Sequence, residues 1–303
     1  DEAMLDERAR TEEAFGLPFP GMGIWVSPSL HVNECELLLL EVPAGRLDLP
    51  PGKVAIEASG APPGSLEIAN MPGLYWVNPD GLSAAVKIIT LERMMAMYVM
   101  AELTKQAHLF LGIQETQWIL DKLNADYPGL VTEVQKVLPL QRISDVLRRL
   151  LEEQVSIRSM RNILESLVYW GPKEKDVLVL TEYVRGDLGR LIAFHAAGGA
   201  QQLPAIFLDV LVEQQIRQAI KPTPTGNFLT LGEEEIALLV GRIETMATGR
   251  GSNIAVVTSM DIRRYVRKML QPRMPWLRVY SFQELGSHLE LVPIGQISND
   301  DIG

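Results

Sequence analysis

Four histidines and a single cysteine are the side chains best suited to metal binding or nucleophilic catalysis. They are His31, His108, His195, His288 and Cys35. Zinc sites need such ligands in close pairs, and a catalytic triad needs a base beside its nucleophile. The histidines lie far apart in the sequence, and Cys35 stands in the strand-like run "ECELLLLEV", where a buried position is typical. The sequence therefore predicts no metal site, no cofactor and no catalytic residues.

The stretch nearest to a phosphate-binding loop is "TGRGSN", residues 248–253. A phosphate loop opens a helix, whereas this stretch leads into the strand-like "IAVVTS". One enzymatic alternative stays open, because α/β folds bind ligands in the crevice at their strand ends. In that alternative, the chain is a small-molecule or nucleotide-handling enzyme built on its C-terminal α/β part.

Charge is unusually dense on the polar faces of "RISDVLRRLLEEQVSIRSMRNILESL", residues 142–167. Apolar residues recur there at helical spacing, which predicts two amphipathic helices. Arginines and carboxylates alternate on the opposite face, and arginine can form paired hydrogen bonds with a carboxylate. Two interpretations follow: a solvated surface, or a surface that matches the charges of a partner.

A different helix, in "TLERMMAMYVMAELTKQAHLFLG", has more apolar surface than one core contact uses. One apolar stripe holds the helix, and a second stripe on nearly the opposite side contains Met94, Met97 and Tyr98. Either a small subdomain packs on this second stripe, or it lies at a cleft walled by Met71, Leu74 and Tyr75 and floored by Met97. Methionine suits such a cleft because its flexible thioether adapts to differently shaped partners.

The composition excludes several classes of protein. The chain has 303 residues, is 47% hydrophobic and carries a net charge of −10, which indicates a globular protein of about two domains. Nucleic-acid binding and attraction to anionic lipid both need clustered positive charge. The one local basic cluster, Arg263, Arg264, Arg267 and Lys268, lies opposite an apolar helical stripe, which predicts a face for solvent or partners.

The single cysteine indicates a reducing compartment, and no apolar run approaches the eighteen or so residues of a membrane span. The acidic start lacks the features of a signal peptide. Because the chain begins at Asp1 without methionine, we expect it to be part of a longer protein.

The spacing of apolar residues changes along the chain and predicts an α+β fold of several subdomains. Residues from Gly21 to about Ile89 are broken by proline and glycine into short strands such as "VAIEAS". Residues from Thr90 to Ala196 are predominantly helical, and strands then alternate with helices, which indicates a C-terminal α/β subdomain. The expected strands there are "LPAIFLD", "NIAVVTS", "LRVYSF" and "ELVPIG".

Long stretches of the helical region resemble a known family. They are "GIQETQWILDKLNADYPGLVTEV" and "LPLQRISDVLRRLLEEQVSIRSMRNILESLVYWGPKEKDVLVLTEYVRGDLGRLI". Both are similar to the cytoplasmic domain of the export gate protein of bacterial type III secretion, which virulence injectisomes share with the flagellum. The turn "YWGPKEKD" resembles the virulence branch more than the flagellar branch.

The resemblance implies four subdomains: 1–48 with 90–113, an inserted 49–89, a helical 114–197 and an α/β 198–303. It implies a nonameric ring at the cytoplasmic face of the bacterial inner membrane, carried below a transmembrane region. The ring would be a docking platform without catalysis for chaperone-cargo complexes, gatekeeper proteins and other export components. The candidate ring contacts are Arg142, Asp145, Arg148, Arg149, Glu165 and Lys173. The candidate docking residues are Met71, Leu74, Tyr75, Met94, Met97 and Tyr98.

Overall fold

A computed structural model describes residues 2–69, 71, 73–80, 82–83, 86–224, 226–248 and 253–299. The chain forms two compact units, Asp1–Gln135 with Pro139–Arg161, and Lys136–Leu138 with Asn162–Gly303. Both units contain helices and strands, so the predicted α+β class is confirmed. The division into four subdomains at the expected boundaries stays a prediction.

The helices are α1 Glu2–Phe15, α2 Leu91–Lys105, α3 Ile113–Asn124, α4 Pro128–Val137, α5 Leu140–Glu152, α6 Met160–Trp170, α7 Val177–Asp187, α8 Gly189–Ala196, α9 Val210–Ala219, α10 Glu233–Ala247, α11 Met260–Leu270 and α12 Phe282–Leu285. A 3-10 helix spans Ala107–Phe110. The strands are β1 Glu34–Leu39, β2 Val42–Asp48, β3 Val54–Glu57, β4 Leu66–Glu67, β5 Leu74–Val77, β6 Ile88–Ile89, β7 Gln202–Leu208, β8 Ile220–Thr223, β9 Gly226–Leu229, β10 Ala255–Thr258, β11 Arg278–Ser281 and β12 Glu290–Ile297.

The strands of the first unit form two antiparallel sheets. The strands β1 and β2 form a hairpin, and a four-stranded sheet has the order β4-β5-β3-β6. Helix α2 covers this part of the fold and begins at Thr90, whose hydroxyl accepts a hydrogen bond from the backbone N–H of Arg93. One apolar core joins the helix to both sheets; it contains Leu47, Ala55, Ile68, Met71, Leu74, Trp76, Met94 and Tyr98.

Helix α5 confirms the first amphipathic pattern predicted for residues 142–167. Its apolar stripe is fully buried and consists of Ile143, Val146, Leu147, Leu150 and Leu151. Burying each such side chain stabilises the fold by about 1.5–3 kcal/mol relative to leaving it exposed. The charged face of α5 is therefore held in a fixed orientation by its own core contacts.

The second unit contains the predicted C-terminal α/β subdomain. Strands β7, β10, β11 and β12 pair in parallel in the order β11-β10-β7-β12. Helices α9, α10 and α11 pack on this sheet through a core that includes Val212, Ile243, Val256, Ile262 and Val266. All four strands expected from the sequence are present in this sheet. Residues 249–252 of the glycine-rich stretch lie outside the described residues.

The prediction that the basic face of helix α11 is open to solvent or partners is wrong for Arg263 and Arg267. Arg263 is 0% exposed, and its Nε and Nη2 atoms each donate a 2.6 Å hydrogen bond to Glu182 of α7. Arg267 is also buried and donates to the carbonyl oxygens of Leu277 and Pro275. A long arginine side chain can lie inside a fold when every buried donor meets an acceptor, which a helical face pattern does not reveal. Lys268 is exposed, as expected.

Within the described part of the chain, no helix combines the length and apolar character that crossing a membrane requires.

Candidate functional site

Four of the six predicted ring contacts share one helix. Arg142, Asp145, Arg148 and Arg149 lie on the polar face of α5, and all four are half-buried. The carboxylate of Asp145 accepts a 3.0 Å hydrogen bond from the Gln141 side chain. This face presents arginines beside an acid in the first compact unit, and thus offers both signs of charge to a partner.

The other two predicted ring contacts, Glu165 and Lys173, belong to the second unit and are exposed. The ammonium group of Lys173 lies 3.1 Å from the ring centroid of Tyr169 and 5.3 Å from that of Trp170. Such cation–π contacts orient the lysine on the surface. Trp170 is itself fixed, because its ring stacks on Tyr183 and its indole N–H donates to Asp187.

Beside Arg148, the first unit contains a pocket of about 560 Å³, which we call the Phe19 pocket. Its lining residues are Pro18, Phe19, Pro20, Leu109, Phe110, Leu111, Gly112, Glu115 and Arg148. The rings of Phe19 and Phe110 meet edge to face at 5.9 Å. The segment that carries Phe19 is held to α1, because the Phe19 N–H donates to Glu12 and the Phe19 carbonyl accepts from Arg8.

The polar groups of the Phe19 pocket differ in their bonding. Glu115 is occupied, because its carboxylate accepts a 2.8 Å hydrogen bond from the Gly112 N–H at the start of α3. The Nε atom of Arg148 is buried and has no hydrogen-bond partner among the described residues. Because the Arg148 side chain as a whole is only half-buried, the accessible part of its guanidinium can meet an acceptor from outside the chain.

His108 neighbours Arg148, and its surroundings shift its pKa. Burial lowers the pKa of His108, the charge of Glu152 opposes this shift, and the charge of Arg148 adds to it. The unfolded chain therefore takes up a proton near pH 6.5 that the folded chain accepts only at lower pH. Stability contributed by neutral His108 is complete above that pH and is lost as the pH falls.

We expect His108→Gln to reduce the loss of stability on acidification. The free energy of unfolding, measured in urea at about pH 7.5 and about pH 5.5, should fall less in this variant than in the wild type. His31→Gln is the matched control because His31 is exposed. An unchanged pH dependence in His108→Gln would contradict the assignment.

The structure buries five of the six predicted docking residues. Met71, Leu74, Met94 and Tyr98 belong to the core between α2 and the two sheets, and Tyr75 is buried in a smaller cluster on the other side of its sheet. The sequence prediction of an open cleft walled by Met71, Leu74 and Tyr75 is therefore wrong in this fold. The strands between residues 42 and 77 cover the second stripe of α2. This arrangement corresponds to the other interpretation of the stripe, in which a small subdomain packs on it.

Met97 differs from those five residues, because it is half-buried at the edge of the same core. Tyr98 shows how closed that core is. Its hydroxyl is buried without a hydrogen-bond partner among the described residues, and burial, with the charge of Glu102, raises its pKa to about 12. Of the predicted docking residues, Met97 alone keeps a side chain partly accessible to a partner.

In the enzymatic alternative, a ligand would bind in the crevice at the strand ends of the parallel sheet. Asp209 follows β7 and accepts a hydrogen bond from the Leu211 N–H at the start of α9. Ser259 follows β10 and donates to Glu213, while Ser281 ends β11 and accepts from the Glu284 N–H. Asp209 and Ser281 thus cap the starts of α9 and α12, and Ser259 binds the carboxylate of Glu213 in α9. Among the described residues, no three His, Cys, Asp or Glu side chains are grouped so that they could hold a metal ion.

A second buried ion pair, which the sequence did not predict, joins Arg185 of α7 to Glu284 of α12. The Nε atom of Arg185 donates a 2.5 Å hydrogen bond to Glu284, and both side chains are buried. Together with the pair of Arg263 and Glu182, it joins α7 to the α/β subdomain within the second unit. The partners lie 99 and 81 residues apart, so no local pattern could indicate them.

The chain matches the model of a protein family described as the FHIPEP family, over residues 2–290. The Hypersensitivity response secretion protein HrcV of Ralstonia nicotianae is 48% identical over 98% of this chain and 45% of its own length. The Low calcium response locus protein D of Yersinia pestis is 33% identical over 97% of this chain and 45% of its own length. The chain thus spans less than half the length of these relatives.

Solved structures show the same architecture. The CdsV protein of Chlamydia pneumoniae superposes with a TM-score of 0.88 at 32% identity, covering 98% of this chain and 90% of that chain. A nonameric assembly of SctV-C from EPEC superposes with a TM-score of 0.84 at 29% identity, covering 98% of this chain and 93% of that chain. CdsV has also been solved in complex with a protein named CdsO, at a TM-score of 0.89, 32% identity and coverage of 97% of this chain and 89% of that chain.

Proposed function

The chain belongs to the FHIPEP family, and on this premise we propose that it forms the cytoplasmic ring of a type III secretion export gate. In this proposal, nine copies associate at the inner face of the bacterial inner membrane. The ring receives secretion substrates with their chaperones, together with gatekeeper proteins, and passes substrates to the export channel. It acts by binding and carries out no catalysis.

One observation carries the proposal more than any other: the match to a nonameric relative over nearly the whole chain. At 29% identity and a TM-score of 0.84, the backbone surfaces that form a ring in that relative have counterparts here. The polar face of α5 supports a ring contact independently. Alternating charges on one surface suit the head-to-tail interface of a cyclic assembly, in which one patch meets a different patch of the next copy.

Sedimentation of the purified chain tests the proposal. We expect a species several times heavier than one chain, whose population rises with protein concentration. Because charged contacts at an interface are screened by ions, added salt should shift this species towards the single chain. Single chains at every concentration, at low salt, would contradict a ring built on these surfaces.

We also propose that partner docking uses the surface around Met97. Three features support this: the partial exposure of Met97, its position at the edge of a rigid core, and the adaptability of methionine to different partners. The complex of the relative CdsV with CdsO supports a further protein partner for this chain.

Met97→Lys is expected to weaken binding of a chaperone-cargo complex while it leaves the midpoint of thermal unfolding almost unchanged. A lysine at this half-buried position can lay its stem along apolar surface and keep its ammonium in water, where it opposes docking of an apolar partner. Calorimetric titration measures the affinity, and thermal unfolding measures the midpoint.

Met94→Lys is the matched comparison, because Met94 is fully buried and a charge there should lower the midpoint strongly. If Met97→Lys lowers the midpoint as much, Met97 belongs to the core. If it changes neither affinity nor midpoint, the docking site lies elsewhere.

A further inference from the structure

The hairpin of β1 and β2 ends in a turn whose residues are unusual for that position. Leu39 pairs with Val42, so Leu40 and Glu41 form a two-residue turn. Their φ angles are +50° and +69°. Two-residue turns with positive φ at both positions strongly favour Asn-Gly or Gly-Gly, because side chains such as leucine are strained there. The sequence therefore keeps two residues here that the turn itself disfavours.

The same turn exposes apolar side chains to solvent. Leu40 is 71% exposed and Val42 is 63% exposed, with the exposed carboxylate of Glu41 between them. We call Leu40, Glu41 and Val42 the hairpin tip. Strained backbone and exposed apolar side chains both reduce the stability of a single chain, and their combination is typical of a binding element.

The Phe19 pocket has features complementary to those of the hairpin tip. It is a depression of about 560 Å³ that is open to solvent, and its accessible apolar side chains are the exposed Leu109 and the half-buried Phe110. The side chain of Arg148 is half-buried and so partly accessible, and the exposed Glu41 offers it a carboxylate. Glu115 is the one acid among the described residues that line the pocket, and its carboxylate already accepts a hydrogen bond from the Gly112 N–H.

We propose that the hairpin tip of one copy inserts into the Phe19 pocket of the next copy, with Leu40 and Val42 against Leu109 and Phe110 and Glu41 paired with Arg148. This inference rests on the proposed ring and assigns one of its contacts. The tip and the pocket are different surfaces of one chain, so their association is head-to-tail and continues from copy to copy until the ring closes. Neither surface is complete without the other copy.

A charge exchange between the two residues tests the pairing. By sedimentation, Glu41→Arg and Arg148→Glu should each weaken association by about tenfold or more, as expected for close charge pairs across an interface. The double variant, in which the charges are exchanged, should recover most of the association. Asp48→Arg is the control, because it reverses an exposed acid at the other end of the same hairpin.

A second variant separates the contact from the folding of the hairpin. Leu40→Asn combined with Glu41→Gly places the favoured residues in the turn, so it should raise the midpoint of thermal unfolding and still weaken association. If the wild type assembles and these tip variants assemble equally well, the inference is wrong while the ring proposal stands. The same holds if the exchanged pair fails to recover association. If the wild type itself remains a single chain, both proposals are wrong.

Discussion

Replacing Arg263 by alanine is expected to lower the free energy of unfolding by about 3–5 kcal/mol, because it leaves the Glu182 carboxylate buried without its partner. Arg263 is 0% exposed and donates two 2.6 Å hydrogen bonds to that carboxylate and one of 3.2 Å to the Val279 carbonyl. Urea unfolding followed by circular dichroism measures the change. A loss of this size would be at least about a fifth of the stability of an ordinary domain, about 5–15 kcal/mol.

Two comparisons make the result specific. Lys268→Ala removes a charge from the same helix at an exposed position, and it should change the free energy of unfolding by less than about 0.5 kcal/mol. Arg263→Met combined with Glu182→Leu removes both charges at similar volume, so it should recover much of the stability lost in the single variant. Equal effects of Arg263→Ala and Lys268→Ala would show that the buried pair does not stabilise the fold.

The second large effect is expected on assembly. Arg148→Glu combined with Arg149→Glu should leave the single chain folded and shift sedimentation to the single-chain species. Both side chains lie on the polar face of α5, while the buried stripe that holds the helix is untouched. Two reversed charges at an interface replace attraction by repulsion, which costs several kcal/mol per contact between copies.

Arg190→Glu combined with Lys268→Glu is the matched control for that experiment. Both residues are exposed in the second unit, and the double variant changes the net charge by the same amount. It should assemble as the wild type does. If both double variants lose the assembly equally, the effect comes from the total charge, and the α5 face is not the contact.

Most of the fold could be predicted from the sequence, because its elements follow from the spacing of apolar residues over short stretches. The stripe of α5 and the strands of the parallel sheet follow from apolar spacing, which the local sequence contains in full. Helix α1 was not predicted, because none of its residues is buried and no apolar stripe marks it. Its side chains instead hold the segment at Phe19.

The errors concern contacts that join distant parts of the chain. The helical pattern of α11 places Arg263 and Arg267 opposite the apolar stripe, which is correct for the helix by itself. It contains no information that α7 and the loop at Pro275 cover this face. The second stripe of α2 presents the same difficulty, because its apolar character agrees equally with a cleft and with a core. The pairing of β3 with β5 places Ala55 and Trp76 against Met94, and this contact shows that the second stripe belongs to the core.

The candidate site could be predicted only in part, and for a physical reason. A surface that binds another copy has no partner in the single chain, so its residues satisfy the local rules of a solvated helix. Arg148 differs from the other charged residues of α5 only in three dimensions, because it lines the neighbouring pocket. The turn at Leu40 and Glu41 is readable in the sequence only after the two-residue loop between β1 and β2 is known.

Electron microscopy of the purified chain at low salt tests the central claim most directly, since it shows the number and arrangement of copies in each particle. We expect closed rings with nine-fold symmetry, in which the polar face of α5 lies at the contact between neighbouring copies. Particles that remain single chains, or that associate through surfaces without the α5 face, would contradict it.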